Sequence, residues 1–131
     1  MNNSRIPILP ERRRHIRFFP NQDAFAALGS EYSKVGKIVN ISKGGLVFEY
    51  TAFRDTKEEN VSVEIFLTTG EVHIYHVPCQ VIHDEGIDCD SMQERNLKLW
   101  SSRLCNIQFT GMTKDQEREI ELFISTYTRS A

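Results

Sequence analysis

Alternation dominates this chain. From residue 61 it runs Val-Ser-Val-Glu-Ile-Phe-Leu, with Val61, Val63, Ile65 and Leu67 on one side and Ser62, Glu64 and Phe66 on the other. A period of two residues predicts a half-buried β-strand. Residues 35–41 alternate too: Val35, Lys37, Val39 and Ile41 fall on one face, Gly36, Ile38 and Asn40 on the other. After the polar turn Ser42-Lys43-Gly44-Gly45, apolar positions resume over residues 46–50. Two strands joined by a short Gly-containing turn predict a β-hairpin. A weaker strand is predicted over residues 23–30, and residues 54–60 form a charged connector. Thr69-Gly70-Glu71 turns the chain into a long run over residues 72–83, in which Pro78 implies a bulge or an edge position. Residues 84–97 are acidic and polar, predicting a solvated loop with one or two helical turns, and residues 99–109 predict the last strand.

The period then changes. Thr113 and Gln116 have the spacing of a helix N-cap and its capping-box partner. Ile120, Phe123, Ile124 and Tyr127 follow at i, i+3, i+4 and i+7, one apolar stripe of an amphipathic helix, with Leu122 off it. Six short strands followed by one helix predict a mainly β fold: a small six-stranded antiparallel barrel with a C-terminal helix docked on it. Phe48, Phe53, Trp100 and Cys105 are assigned to packing, and Phe18 and Phe19 to pinning the N-terminal segment. Residues 1–9 are expected to be a flexible lead-in and residues 10–131 a single domain.

Composition narrows the class. The chain has 131 residues, 40% apolar and 26% charged, enough for one modest core. No apolar run approaches the roughly 18–20 residues that span a bilayer, and the polar, Pro-interrupted N-terminus lacks the apolar region of a signal peptide. Cys79, Cys89 and Cys105 are odd in number and irregularly spaced, which suits reduced thiols better than a disulfide framework. The expectation is a cytoplasmic protein without membrane insertion.

Net charge is −2, so general coating of a nucleic-acid polymer is not indicated. Yet Arg5, Arg12, Arg13, Arg14 and Arg17 crowd into residues 5–17 against a single acid, Glu11. A local positive patch on a mildly acidic body points to a specific anionic partner. Arginine is planar, permanently charged, and offers a donor fork that matches phosphate oxygens or the O6/N7 edge of guanine. The turn supplies a second polar feature. Asn40 and Ser42, two residues apart, share one side of a strand, and Gly44 and Gly45 admit positive φ and close approach to the backbone. Either segment alone also fits a solvated basic tail or ordinary hairpin chemistry.

Other constellations are weaker. His73, His76, Cys79 and His83 lie close in sequence, but residues three apart on a strand face opposite ways. His73 and Cys79 share a face of an unbroken strand while His76 falls on the other, and no C-x-x-C or H-x-x-x-H pair is present. No metal site is expected. Nor can a nucleophile–base arrangement be named, so the chain is not expected to be an enzyme.

Taken together, Arg13-x-x-x-Arg17 followed by Asn40-x-Ser42-x-x-Gly45 resembles the PilZ domain, a bacterial receptor module for cyclic di-GMP, over about residues 10–128. The resemblance implies a six-stranded barrel with a C-terminal helix. It implies that Arg13 and Arg17 grip guanine and phosphate, and that Asn40, Ser42 and the Gly44-Gly45 pair contact a guanine from the barrel surface. Arg12, just before the motif, is compatible with holding an intercalated dimer of the dinucleotide rather than one molecule. No other cofactor is implied. An Asn rather than an Asp at position 40 leaves one acceptor oxygen and one donor group, tempering affinity. The implied role is a signalling receptor that changes conformation on binding and acts through an unidentified downstream protein. The alternatives are a PilZ-like protein-interaction module that no longer binds the nucleotide, and a small RNA-binding barrel.

Overall fold

The computed structural model describes residues 16–29, 34–53, 60–86 and 100–130. Within these the order is β1 (Phe18–Pro20), β2 (Ala24–Leu28), β3 (Lys34–Ser42), β4 (Gly45–Phe53), β5 (Asn60–Leu67), β6 (His73–Gly86), β7 (Trp100–Phe109), α1 (Lys114–Tyr127) and β8 (Thr128–Ser130). The strands run β2-β5-β6-β7-β4-β3, and pairing of β2 with β3 closes them into a six-stranded antiparallel barrel. Each of the six expected strands is one of these. The short β1 and β8 are additional: Phe18 pairs with Ile41 of β3 on one side and with Ser130 of β8 on the other. Residues 1–15, 54–59 and 87–99 lie outside the described residues, as do the side chains of Phe53 and Trp100. Expectations for Arg5, Arg12, Arg13, Arg14, the lead-in, the connector and Cys89 therefore fall there.

Inward positions of the strands fill the barrel. Leu46, Phe48, Ile65, Ile74 and Ile107 have almost no exposure, and Ile120, Phe123 and Ile124 close one side of the core from the helix. Burying each such side chain stabilises the fold by about 1.5–3 kcal/mol. Leu122, off the stripe, is 63% exposed. The helix begins as its sequence dictates: the Thr113 hydroxyl accepts from the Gln116 N–H, and the Gln116 side chain accepts from the Thr113 N–H.

Three bulges change which faces the strands present. In β3 the register shifts between Ile38 and Asn40. Val35, Lys37 and Val39 point outward, while Ile41 turns into the core, so these four do not share one face. In β6 one shift places both Tyr75 and His76 opposite Glu64, with His76 at φ 52°, and another falls between Val81 and His83. Pro78 lies at neither β6 bulge but at the end of the β6–β7 ladder, where that side of β6 becomes an edge. It pairs with Ser62 of β5, and its carbonyl accepts from the Thr110 N–H just past the last β6–β7 pair, Cys79 with Phe109. A residue's N–H and C=O point the same way, so the missing donor faces the place where that ladder has ended. The strand also runs further than expected. Asp84 and Glu85 pair with Cys105 and Leu104 of β7, which corrects the expected loop over its first three residues.

Cys79 and Cys105 both face the interior, and burial pushes each thiol up to about 12. Neither should react with a thiol reagent at neutral pH until the chain unfolds, because the thiolate is the reactive form. Alkylation mapped by mass spectrometry checks this, and rapid native-state labelling of either residue would contradict it.

Candidate functional site

The site grows from the β3–β4 hairpin. Lys43 and Gly44 form its two-residue turn between the paired Ser42 and Gly45. Ser42 is buried, and its hydroxyl works within the turn: it accepts from the Gly44 N–H at 3.1 Å and donates to the Gly45 carbonyl at 3.3 Å. The Gly44 carbonyl in turn accepts from the Phe109 N–H at 2.9 Å, fixing the end of β7. Positive φ is found at Gly29, Gly70 and His76, not at Gly44 or Gly45. The demand at Gly45 is close approach instead. A Cβ there would lie 2.1 Å from the Ile107 carbonyl oxygen of β7.

β1 brings the arginine segment to this hairpin. Because β1 runs antiparallel to β3 with Phe18 opposite Ile41, Arg17 stands across from the Ser42 end of β3, and its long side chain reaches back to Asn40. There Arg17 Nη1 donates to Asn40 Oδ1 at 2.9 Å, between residues 23 apart in sequence. Arg17 and Asn40 are both half-buried. The two motifs thus meet in space. Arg17 and Asn40 join directly, Ser42 and Gly45 shape the adjoining turn, and Arg12 and Arg13 lie outside the described residues. The result is a cationic, hydrogen-bonding surface suited to an anion with a polar heterocycle.

A second polar cluster was not legible as such. Asp84, expected in a solvated loop, stands at the opposite end of the barrel. It accepts from Lys34 at 2.8 Å, from the Tyr50 hydroxyl at 2.6 Å, and from Arg103 Nε at 2.9 Å. Lys34 is 2% exposed. Burial alone would raise the Asp84 carboxyl, but the hydrogen bonds from Lys34, Tyr50 and Arg103 outweigh it and hold the group below the ordinary aspartate range. Burial, then the bond to Asp84, raises the Tyr50 phenol. Lys34 and Ser42 are the two ends of β3, a separation of roughly 26 Å along an extended strand. The cluster therefore braces the fold away from the hairpin turn.

His73 and His76 meet at the buried Glu64 carboxylate, at 2.8 and 3.8 Å, but Cys79 and His83 do not join them. The bulge at Tyr75–His76 shifts the phase of β6, so Cys79 is buried inside while His73 is outside, against the expectation of a shared face. His83 bonds Glu85 at 2.8 Å instead. Among the described residues, no three His, Cys, Asp or Glu side chains are grouped to hold a metal ion.

These features define a class: a small closed antiparallel barrel with a C-terminal helix and an arginine-bearing segment strapped along β3. The family model of the PilZ domain matches residues 11–125, and the chain belongs to that family. No curated protein sequence matches it. Among solved structures, it is similar to the PilZ domain of YcgR from Escherichia coli with c-di-GMP, at 15% identity and a TM-score of 0.63, over 89% of this chain and 92% of that one. It is also similar to YcgR in complex with c-di-GMP from Escherichia coli, at 15% identity and a TM-score of 0.59, over 88% of this chain and 46% of that one. A third likeness is to the MrkH–c-di-GMP complex of K. pneumonia, at 20% identity and a TM-score of 0.60, over 89% of this chain and 52% of that one. The likeness is one of fold, and the chain spans about half the length of these YcgR and MrkH chains.

Proposed function

We propose that this chain is a bacterial receptor for cyclic di-GMP, a binding module rather than an enzyme, acting in the cytoplasm through a separate partner protein. The observation that carries the reading is the Arg17–Asn40 hydrogen bond, which joins the two halves of the Arg-x-x-x-Arg and Asn-x-Ser-x-x-Gly pair. Arg13 and Arg17 grip guanine and phosphate, Asn40 meets a guanine edge, and Ser42, Gly44 and Gly45 hold the turn that the base lies against. Arg12 sets whether one dinucleotide or an intercalated dimer is held. Binding closes the arginine segment on the ligand beside Asn40, and the new charge-assisted contacts shift the conformational population. Family membership and the c-di-GMP bound in the similar structures support this. The buried thiols of Cys79 and Cys105 suit a reducing compartment.

A few bidentate contacts, less the cost of ordering the segment, give an affinity around micromolar, roughly −8 kcal/mol. Calorimetric titration with cyclic di-GMP, GMP and a short RNA tests the reading. Only the cyclic dinucleotide should bind tightly, while strong, salt-dependent RNA binding would favour a different function. Arg17→Ala or Arg13→Ala should weaken binding by about 100-fold or more, from the 1–3 kcal/mol expected of each bidentate arginine contact plus its phosphate interaction. Arg5→Ala should leave it unchanged. Wild-type affinity in a folded Arg17→Ala variant would sink the assignment.

A further inference from the structure

The Arg17–Asn40 contact fixes more than position. A guanidinium has donors and no acceptor, so the Asn40 atom facing it must be the carbonyl oxygen, as found at 2.9 Å. The orientation of the amide is thereby set by chemistry. Its Nδ2 amino group, which makes no hydrogen bond among the described residues, faces away from Arg17 with two N–H donors. Oδ1 keeps a second lone pair, but a ligand N–H brought to it would lie against the guanidinium, donor beside donor. An acceptor edge is attracted by both groups at once. Guanine has one donor-bearing edge, with N1–H and the N2 amino group, and one acceptor edge, with O6 and N7.

We propose that Arg17 and Asn40 act as one donor-only reader that engages guanine through O6 and N7. This rests on the reading of the chain as a cyclic di-GMP receptor and makes position 40 a specificity determinant. With Asp in its place, one carboxylate oxygen would take the arginine and the other would accept from N1–H and the N2 amino group. Asn and Asp at this position therefore select opposite edges of the same base.

Calorimetry with three ligands tests this on the unaltered chain: cyclic di-GMP, its inosine analogue lacking the N2 amino groups, and its 7-deaza analogue lacking N7. The inosine analogue should bind within about threefold of cyclic di-GMP and the 7-deaza analogue about tenfold or more weaker, following the 1–3 kcal/mol of a bidentate contact. In Asn40→Asp the order should reverse. A wild-type chain that binds cyclic di-GMP but loses the inosine analogue and keeps the 7-deaza one would overturn the edge assignment alone. A chain that binds none of the three would overturn the receptor reading, and the edge assignment with it.

Discussion

Replacing Asp84 by alanine is expected to lower the unfolding free energy by about 3–5 kcal/mol, the cost of leaving a buried charge uncompensated. Lys34 is 2% exposed, and Asp84 is the carboxylate 2.8 Å from its ammonium. Removing that carboxylate also strips the acceptor from the Tyr50 hydroxyl and from Arg103 Nε. A typical domain has only about 5–15 kcal/mol in hand, so the variant should be marginal. Urea denaturation followed by circular dichroism reads this as a lower midpoint with an unchanged slope. A loss below about 1 kcal/mol, the range of an exposed pair, would refute it. Acid provides an independent check. The Asp84 carboxyl is lowered in the folded chain, so its contribution is full above the unfolded value of about 4 and is lost as pH falls through the lower folded value. Asp84→Ala should flatten that part of the stability curve.

Gly45→Ala should be nearly as damaging, for a different reason. The added methyl would stand 2.1 Å from the Ile107 carbonyl oxygen, a backbone atom held in the β4–β7 ladder. Nothing flexible can yield, so strands β4 and β7 must part locally. Overpacking in a tight site costs about 1–3 kcal/mol and occasionally more. With backbone as the obstacle, the upper end or beyond is expected. Thermal melting should show the loss without ligand, and cyclic di-GMP binding should fall in step because the Ser42–Gly45 turn is displaced. A variant that melts like the wild type yet loses binding would show that the glycine serves the ligand directly.

These two positions also mark the limit of what the chain discloses on its face. Alternation named β3 and β5, apolar runs between turn signals named the other four barrel strands, and the Thr113/Gln116 spacing named the helix start, because all these signals are local. Asp84 was not readable, since its partner Lys34 is 50 residues away and nothing near either residue announces the other. Bulges are equally silent: one extra residue at Val39 or His76 reverses the facing of everything after it. The Arg17–Asn40 meeting was suggested by motif order, but the strand that delivers it, β1, has three residues and no periodicity to detect.

One group ties the last helix to the barrel. The Gln116 side chain caps the helix through its oxygen, while its nitrogen donates to the carbonyls of Tyr75 and His76 at 2.9 and 3.1 Å. Those carbonyls belong to the bulge where His76 adopts φ 52°, a conformation that a non-glycine residue holds only with outside support. A 14-residue helix is marginal by itself in water. Helix and bulge are therefore two halves of one clasp: the strand's irregularity marks where the helix begins, and the helix keeps the strand irregular.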